Sequence, residues 1–218
     1  MDNYSLDFII GAMNAWQYKK EDKAFVSALL ANSHSFTITV PQVTDTEFYH
    51  LYIGLDLDAF LRTGADSGPK LYVFVLPASA DSPAYIRDNC NSYTDFITTS
   101  LVCPKVLTDT EIDSDEALRR INNWSYITEW VTYNQVFNAF KIPAADLEQD
   151  PTESVTFTGF FGIKEVAGLK MPDIVIAKTT AAGTETFYDM ARLCPPFKSQ
   201  DDKTSLGLLE FVYVAKAF

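Results

Sequence analysis

From His50 to Asp58 the chain alternates without a break. His50, Tyr52, Gly54, Asp56 and Asp58 fall on one side of an extended backbone, and Leu51, Ile53, Leu55 and Leu57 on the other. Successive side chains of a strand point to opposite faces, so this period of two predicts a half-buried strand, with its leucines and isoleucine turned inward and its histidine and aspartates turned to water. Such a strand needs neighbours to pair its backbone and a second layer to cover its apolar face.

Other segments supply both. Phe36, Ile38 and Val40 alternate with Ser35, Thr37 and Thr39 ahead of Pro41, and stiff β-branched side chains suit a pleated sheet better than a helix. Lys70 to Leu76 is apolar on both sides after its first residue, the pattern of a central strand covered on each face. Residues 154–164 place Val155, Phe157, Gly159, Phe161 and Ile163 on one face, with glycines that permit curvature, and residues 173–179 give a further strand before a turn through 181–184. Tyr4 to Ile10 predicts an initial strand, and Leu208 to Phe218 a closing strand held in a sheet.

Helical signals are fewer. Lys20 to Asn32 carries Ala24, Phe25, Ala28 and Leu29 at intervals of three and four, and Asp81-Ser82-Pro83 has the composition of a helix start. Residues 109–122 predict another helix, capped by Thr110 or Ser114, with Ile112, Ala117, Leu118 and Ile121 inward. Residues 91–100 and 124–142 fit either kind of element.

These pieces predict one β-rich domain over residues 1–218, built as a two-sheet sandwich, antiparallel or mixed, with short helices at its periphery. An α+β fold with one mixed sheet is the alternative. The 218 residues, 47% hydrophobic and 21% charged, are enough to close a core. No apolar run approaches the roughly 20 residues that span a bilayer, and no basic leader precedes an apolar stretch, so a soluble chain without membrane insertion is expected. A formal charge of -12 opposes phosphate backbones and argues against a nucleic-acid partner. Cys90, Cys103 and Cys194 are too few and too scattered for a disulfide scaffold or a zinc knuckle, and are expected as buried free thiols.

The chemistry-bearing residues are sparse. His34 and His50 are the only histidines. His50, Asp56 and Asp58 form the one candidate metal set, imidazole and carboxylate donors for a divalent cation. His50 and Asp56 nevertheless lie about 20 Å apart on an extended strand, so the strand must bend, or a loop close over it, for them to serve one ion. The glycine-flanked nucleophile, the phosphate loop and the dinucleotide fingerprint are all missing from the sequence, and no cofactor is expected. Tyr126, Trp130 and Tyr133 recur at helical spacing and form the candidate ligand-binding set, since such rings bury large area at small entropic cost. The expected function is a structural or protein-interaction module, self-associating through a sheet edge near Leu208 to Phe218. Two alternatives accompany it: a carbohydrate- or small-ligand-binding module in which Trp16, Tyr18, Trp124 and Trp130 stack on sugar, and a metal-assisted hydrolase built on His50 and the aspartates.

Overall fold

The computed structural model describes residues 4–40, 45–57, 68–103, 115–148, 154–188, 192–194 and 206–212. In chain order the elements are α1 (Leu6–Lys19), α2 (Lys23–Ala31), β1 (Ser35–Ile38), β2 (Phe48–Asp56), β3 (Lys70–Pro77), α3 (Pro83–Asp88) and β4 (Thr98–Leu101). They continue through α4 (Asp115–Asn122), α5 (Ile127–Tyr133), β5 (Ala139–Pro143), β6 (Val155–Val166), β7 (Leu169–Thr180), β8 (Glu185–Tyr188) and β9 (Arg192–Cys194). One sheet runs β4-β3-β2-β5-β9 and the other β1-β6-β7-β8. Every pairing among the described strands is antiparallel. The chain is therefore β-rich with two antiparallel sheets and short helices, as expected, and the alternative of one mixed sheet does not hold.

The sheets meet over the odd face of β2. Tyr49, Leu51, Ile53 and Leu55, with Val73 and Val75 of β3, pack against Phe157, Phe161 and Ile163 of β6 and Ile174 and Ile176 of β7. Phe161 stacks on Trp124 at 5.1 Å and leans on Phe36 at 5.4 Å, aromatic contacts that add to plain burial. On the outer face of the second sheet, Phe160, Val175 and Ala177 are covered by Ala117 and Ile121 of α4.

The even face of β2 departs from expectation. It is buried as well, because Ile9, Ala12 and Met13 of α1 lie over Tyr52, Phe74 and Leu76. Gly54 permits this close approach: a Cβ there would stand 2.4 Å from the Phe74 ring and 3.0 Å from the Ala12 methyl. The polar residues of the alternating segment thus mark a second interface rather than a solvent face.

That covering helix replaces the strand predicted from Tyr4 to Ile10. Ser5 Oγ accepts from the Phe8 amide at 3.2 Å, capping α1, and the buried Ile9, Ala12, Met13 and Trp16 recur at threes and fours. Alternation at Tyr4, Leu6, Phe8 and Ile10 was too short to compete with this longer helical stripe. The closing strand does not begin at Leu208: residues 207–210 form a 3-10 turn with Leu206, Leu208 and Val212 buried, and the remainder of that expectation, 213–218, lies outside the described residues.

Other expectations fare better. Asp22 caps α2 by accepting from Phe25 at 3.1 Å, and Ser82 caps α3 by accepting from Tyr85 at 3.1 Å. Residues 124–142 divide into α5 and β5, and α4 is described only from Asp115, so Thr110, Ile112 and Ser114 fall outside. Cys90 and Cys103 are free thiols but exposed, not buried. Along one margin the sheets are stitched together: Thr98 Oγ1 donates to the Thr39 carbonyl at 2.6 Å, Ser100 to the Thr37 carbonyl, and the Cys103 amide to the Ser35 carbonyl at 2.7 Å. Edges β1 and β4 close on each other there, which withholds them from edge-to-edge pairing with another chain. Among the described residues no helix is long and apolar enough to cross a membrane.

Candidate functional site

The densest buried chemistry gathers on Asp81, in the turn between β3 and α3. Its Oδ2 accepts from His50 Nδ1 at 2.6 Å and from the Tyr52 hydroxyl, and its Oδ1 accepts from the Leu208 amide at 2.9 Å. An ionised carboxylate can only accept, so the proton of this contact sits on His50 Nδ1. A charge removed from water survives when donors surround it, and here they come from β2 and from the 206–212 segment. Tyr93 completes the group. Its side chain is wholly buried and its hydroxyl has no hydrogen-bond partner among the described residues. Burial, and then the nearby charge of Asp81, push this phenol far above its ordinary range. Lys141 of β5 opposes His50 in register and so stands on the same sheet face. Imidazole, carboxylate and phenols in this arrangement are competent for proton transfer. They are sealed, however, with His50 2% and Asp81 3% exposed.

This arrangement alters the metal expectation. β2 remains extended to Asp56, so His50 and Asp56 do not converge, both are buried, and Asp58 lies outside the described residues. Among the described residues no group of three histidine, cysteine or acidic side chains is placed to hold a metal ion. β2 does not bend between His50 and Asp56, and residues 58–67, which follow it, lie outside the described residues.

A second charged cluster lies under α4. Asp173, fully buried on β7, accepts from Lys164 Nζ at 2.9 Å and from Arg120 at 3.0 Å, while Glu116 bridges Arg119 and Arg120. Burial pushes the Asp173 carboxyl up, and the two cations offset part of that shift. The cluster seats the helix: at Gly162, directly across from Asp173, a Cβ would stand 3.1 Å from the Arg120 backbone.

The candidate ligand-binding residues are brought together on the surface. Tyr126, Trp130 and Tyr133 follow one another at four and three residues along the 3-10 turn 123–126 and α5, which puts them on one side of a continuous helical stretch. Tyr126 is 47% exposed and Tyr133 81%, while the Trp130 indole is half-buried and donates to the Lys170 carbonyl at 3.0 Å. The Lys170 ammonium lies 4.0 Å above the Tyr126 ring. Lys170 and the exposed Leu169 follow the tight turn of the β6–β7 hairpin, where Ala167 and Gly168 both have positive φ. Trp16 and Trp124 are in the core, their indoles donating to the Phe137 and Leu30 carbonyls, so they form no sugar platform with Trp130. A cleft of about 350 Å³ between α2 and the start of β3 has walls of Phe25, Leu29, Leu71 and Val102. The Asn32 and Ser33 side chains at its rim are spent on the last carbonyls of α2.

No family model, curated protein or solved structure matches the chain. Sequence reasoning placed Asp81 only at a helix start. Its role as acceptor for His50 depends on a contact 31 residues away, which no local pattern encodes. Tyr52, on the same strand face as His50, was the one partner the alternation could have named.

Proposed function

We propose that the chain is a protein-interaction module whose docking patch is formed by Tyr126, Trp130 and Tyr133 together with Leu169 and Lys170. The supporting observation is the grouping of exposed Tyr126, Tyr133 and Leu169 around a Trp130 indole and a Lys170 side chain already held in place. Large aromatic side chains with few rotamers, next to a fixed cation, are what protein interfaces concentrate at their centres. A partner protein with an apolar ridge and a carboxylate fits this patch better than a second copy, because each copy of this chain carries a formal charge of -12. Glycan binding is less favoured: Lys170 covers one face of the Tyr126 ring and so reduces the stacking surface left for a sugar.

The test places a photo-crosslinking residue at Tyr133 and, in a separate chain, at Tyr18, which is comparably exposed but lies on α1. The expected result is one discrete protein adduct at position 133, competed away by excess wild-type chain and not by a Tyr126→Ala, Tyr133→Ala chain. Absence of that adduct, or the same adduct from position 18, contradicts the reading.

A further inference from the structure

Three side chains at the junction of α1 and α2 reach across to the segment that joins α5 to β5. Trp16 Nε1 donates to the Phe137 carbonyl at 2.9 Å, Lys20 Nζ to Asn138 Oδ1 at 2.8 Å, and Lys23 Nζ to the Asn134 carbonyl. Asn138 is a fixed acceptor: it is 6% exposed, and its main-chain carbonyl accepts from the Ile53 amide of β2 at 3.1 Å. The half-buried Lys20 ammonium thus rests on a neutral amide, whereas the half-buried Lys164 has the Asp173 carboxylate at 2.9 Å.

Water solvates an ammonium strongly, and a neutral amide oxygen restores less of that stabilisation than a carboxylate does. Burial accordingly holds the Lys20 amine below its ordinary value of 10.5; Glu21 opposes this shift and Lys23 adds to it. A desolvated lysine beside a second cation is the setting in which an amine becomes a nucleophile. We propose that Lys20 is a modification site whose Nζ takes the acyl group of a small acyl thioester. The unprotonated nitrogen attacks the thioester carbonyl, a C–N bond forms as the C–S bond breaks, the thiolate leaves, and the nitrogen gives its surplus proton to water. Lys20 keeps part of its surface in solvent, which leaves the thioester a path to it. The amide formed retains one N–H for Asn138 Oδ1 and removes the positive charge beside Lys23. The reaction uses no residue of the aromatic patch on α5, so it stands or falls separately from the docking reading.

The full chain, pulsed with S-acetyl-N-acetylcysteamine at a series of pH values and mapped lysine by lysine by mass spectrometry, tests this. At pH 7.5 Lys20 is expected to acetylate about threefold or more faster than the exposed Lys170, with its rate reaching a plateau below pH 10.5. Asn138→Asp sets a carboxylate against the ammonium and is expected to slow Lys20 about threefold or more, with Lys170 unchanged. Lys23→Gln removes the neighbouring cation without touching the buried acceptor and is expected to slow Lys20 by a smaller factor, so the test does not hang on the Asn138 variant folding. A Lys20 that acetylates no faster than Lys170, or that reaches its plateau only above pH 10.5, overturns the proposal. So does an unchanged Lys20 rate in the Lys23→Gln chain or in a folded Asn138→Asp chain.

Discussion

His50 Nδ1 lies 2.6 Å from Asp81 Oδ2, with the histidine side chain 3% exposed and the aspartate side chain wholly buried. The pair joins β2 to the turn after β3, and the same carboxylate reaches Tyr52 and the Leu208 amide. Removing the acceptor strands three buried donors at once. Asp81→Ala is therefore expected to destabilise the fold by about 3 kcal/mol or more, whereas Tyr52→Phe, which deletes one donor and leaves Asp81 two, is expected to cost about 1 kcal/mol. Urea unfolding of both variants checks the ordering, and equal costs would contradict it.

The backbone beneath α4 gives a second expectation. Gly162 faces the Arg120 main chain, so a valine there must push the helix off its seat, at an expected cost of about 1–3 kcal/mol. Asp173→Asn loosens the same helix by weakening its hold on Arg120. The two substitutions act on one contact, so their combined cost is expected to fall short of the sum. A double-mutant cycle measures the shortfall, and strict additivity would count against the shared seat.

At the β6–β7 hairpin the sequence works against its own turn. Ala167 has φ 52° and Gly168 φ 78°, the conformations of a two-residue turn that favours Asn-Gly. An alanine held there is strained, so Ala167→Asn is expected to raise stability by about 1 kcal/mol with an unchanged urea slope.

Partial burial holds the His34 imidazole below its ordinary value of 6.5, against a smaller opposing effect of the Ala31 carbonyl. Above pH 6.5 the ring is neutral in folded and unfolded chains alike and contributes nothing to pH dependence. As pH falls through 6.5 the unfolded chain takes up the proton first, so stability declines until the folded ring titrates as well. His34→Gln is expected to flatten the stability profile in that window. Unfolding midpoints measured from pH 7.5 to 5 make the comparison, and superimposable profiles would contradict it.

What the sequence disclosed was pattern, and what it concealed was cover. β2, β3, β6 and β7 were legible because their alternation or double-sided apolarity follows from the pleat itself. The sequence shows Gly159 and Gly162 only as residues that permit curvature; their closeness to Phe36 and Arg120, which a Cβ at either would meet, is visible only in the fold. The polar face of β2 was misread because alternation reports two unlike faces, not which of them meets water. A helix laid over Tyr52 and Gly54, with Asp81 against His50, turns a predicted solvent face into an interior one, and that helix was hidden by the short alternation of Tyr4 to Ile10. The aromatic set at Tyr126, Trp130 and Tyr133 could be named from helical spacing. Its tie to Lys170, 40 residues from Trp130, could not.

The interior placement of His50 is the claim on which the rest depends, and nitrogen-edited NMR of its imidazole tests it most directly. A proton on Nδ1 that persists in the spectrum, exchanges slowly with D2O and is unaffected by added Mn²⁺ is the predicted result. A His50 ring that exchanges freely and broadens at stoichiometric Mn²⁺ would contradict the account and return the histidine to the metal site first suggested by its strand.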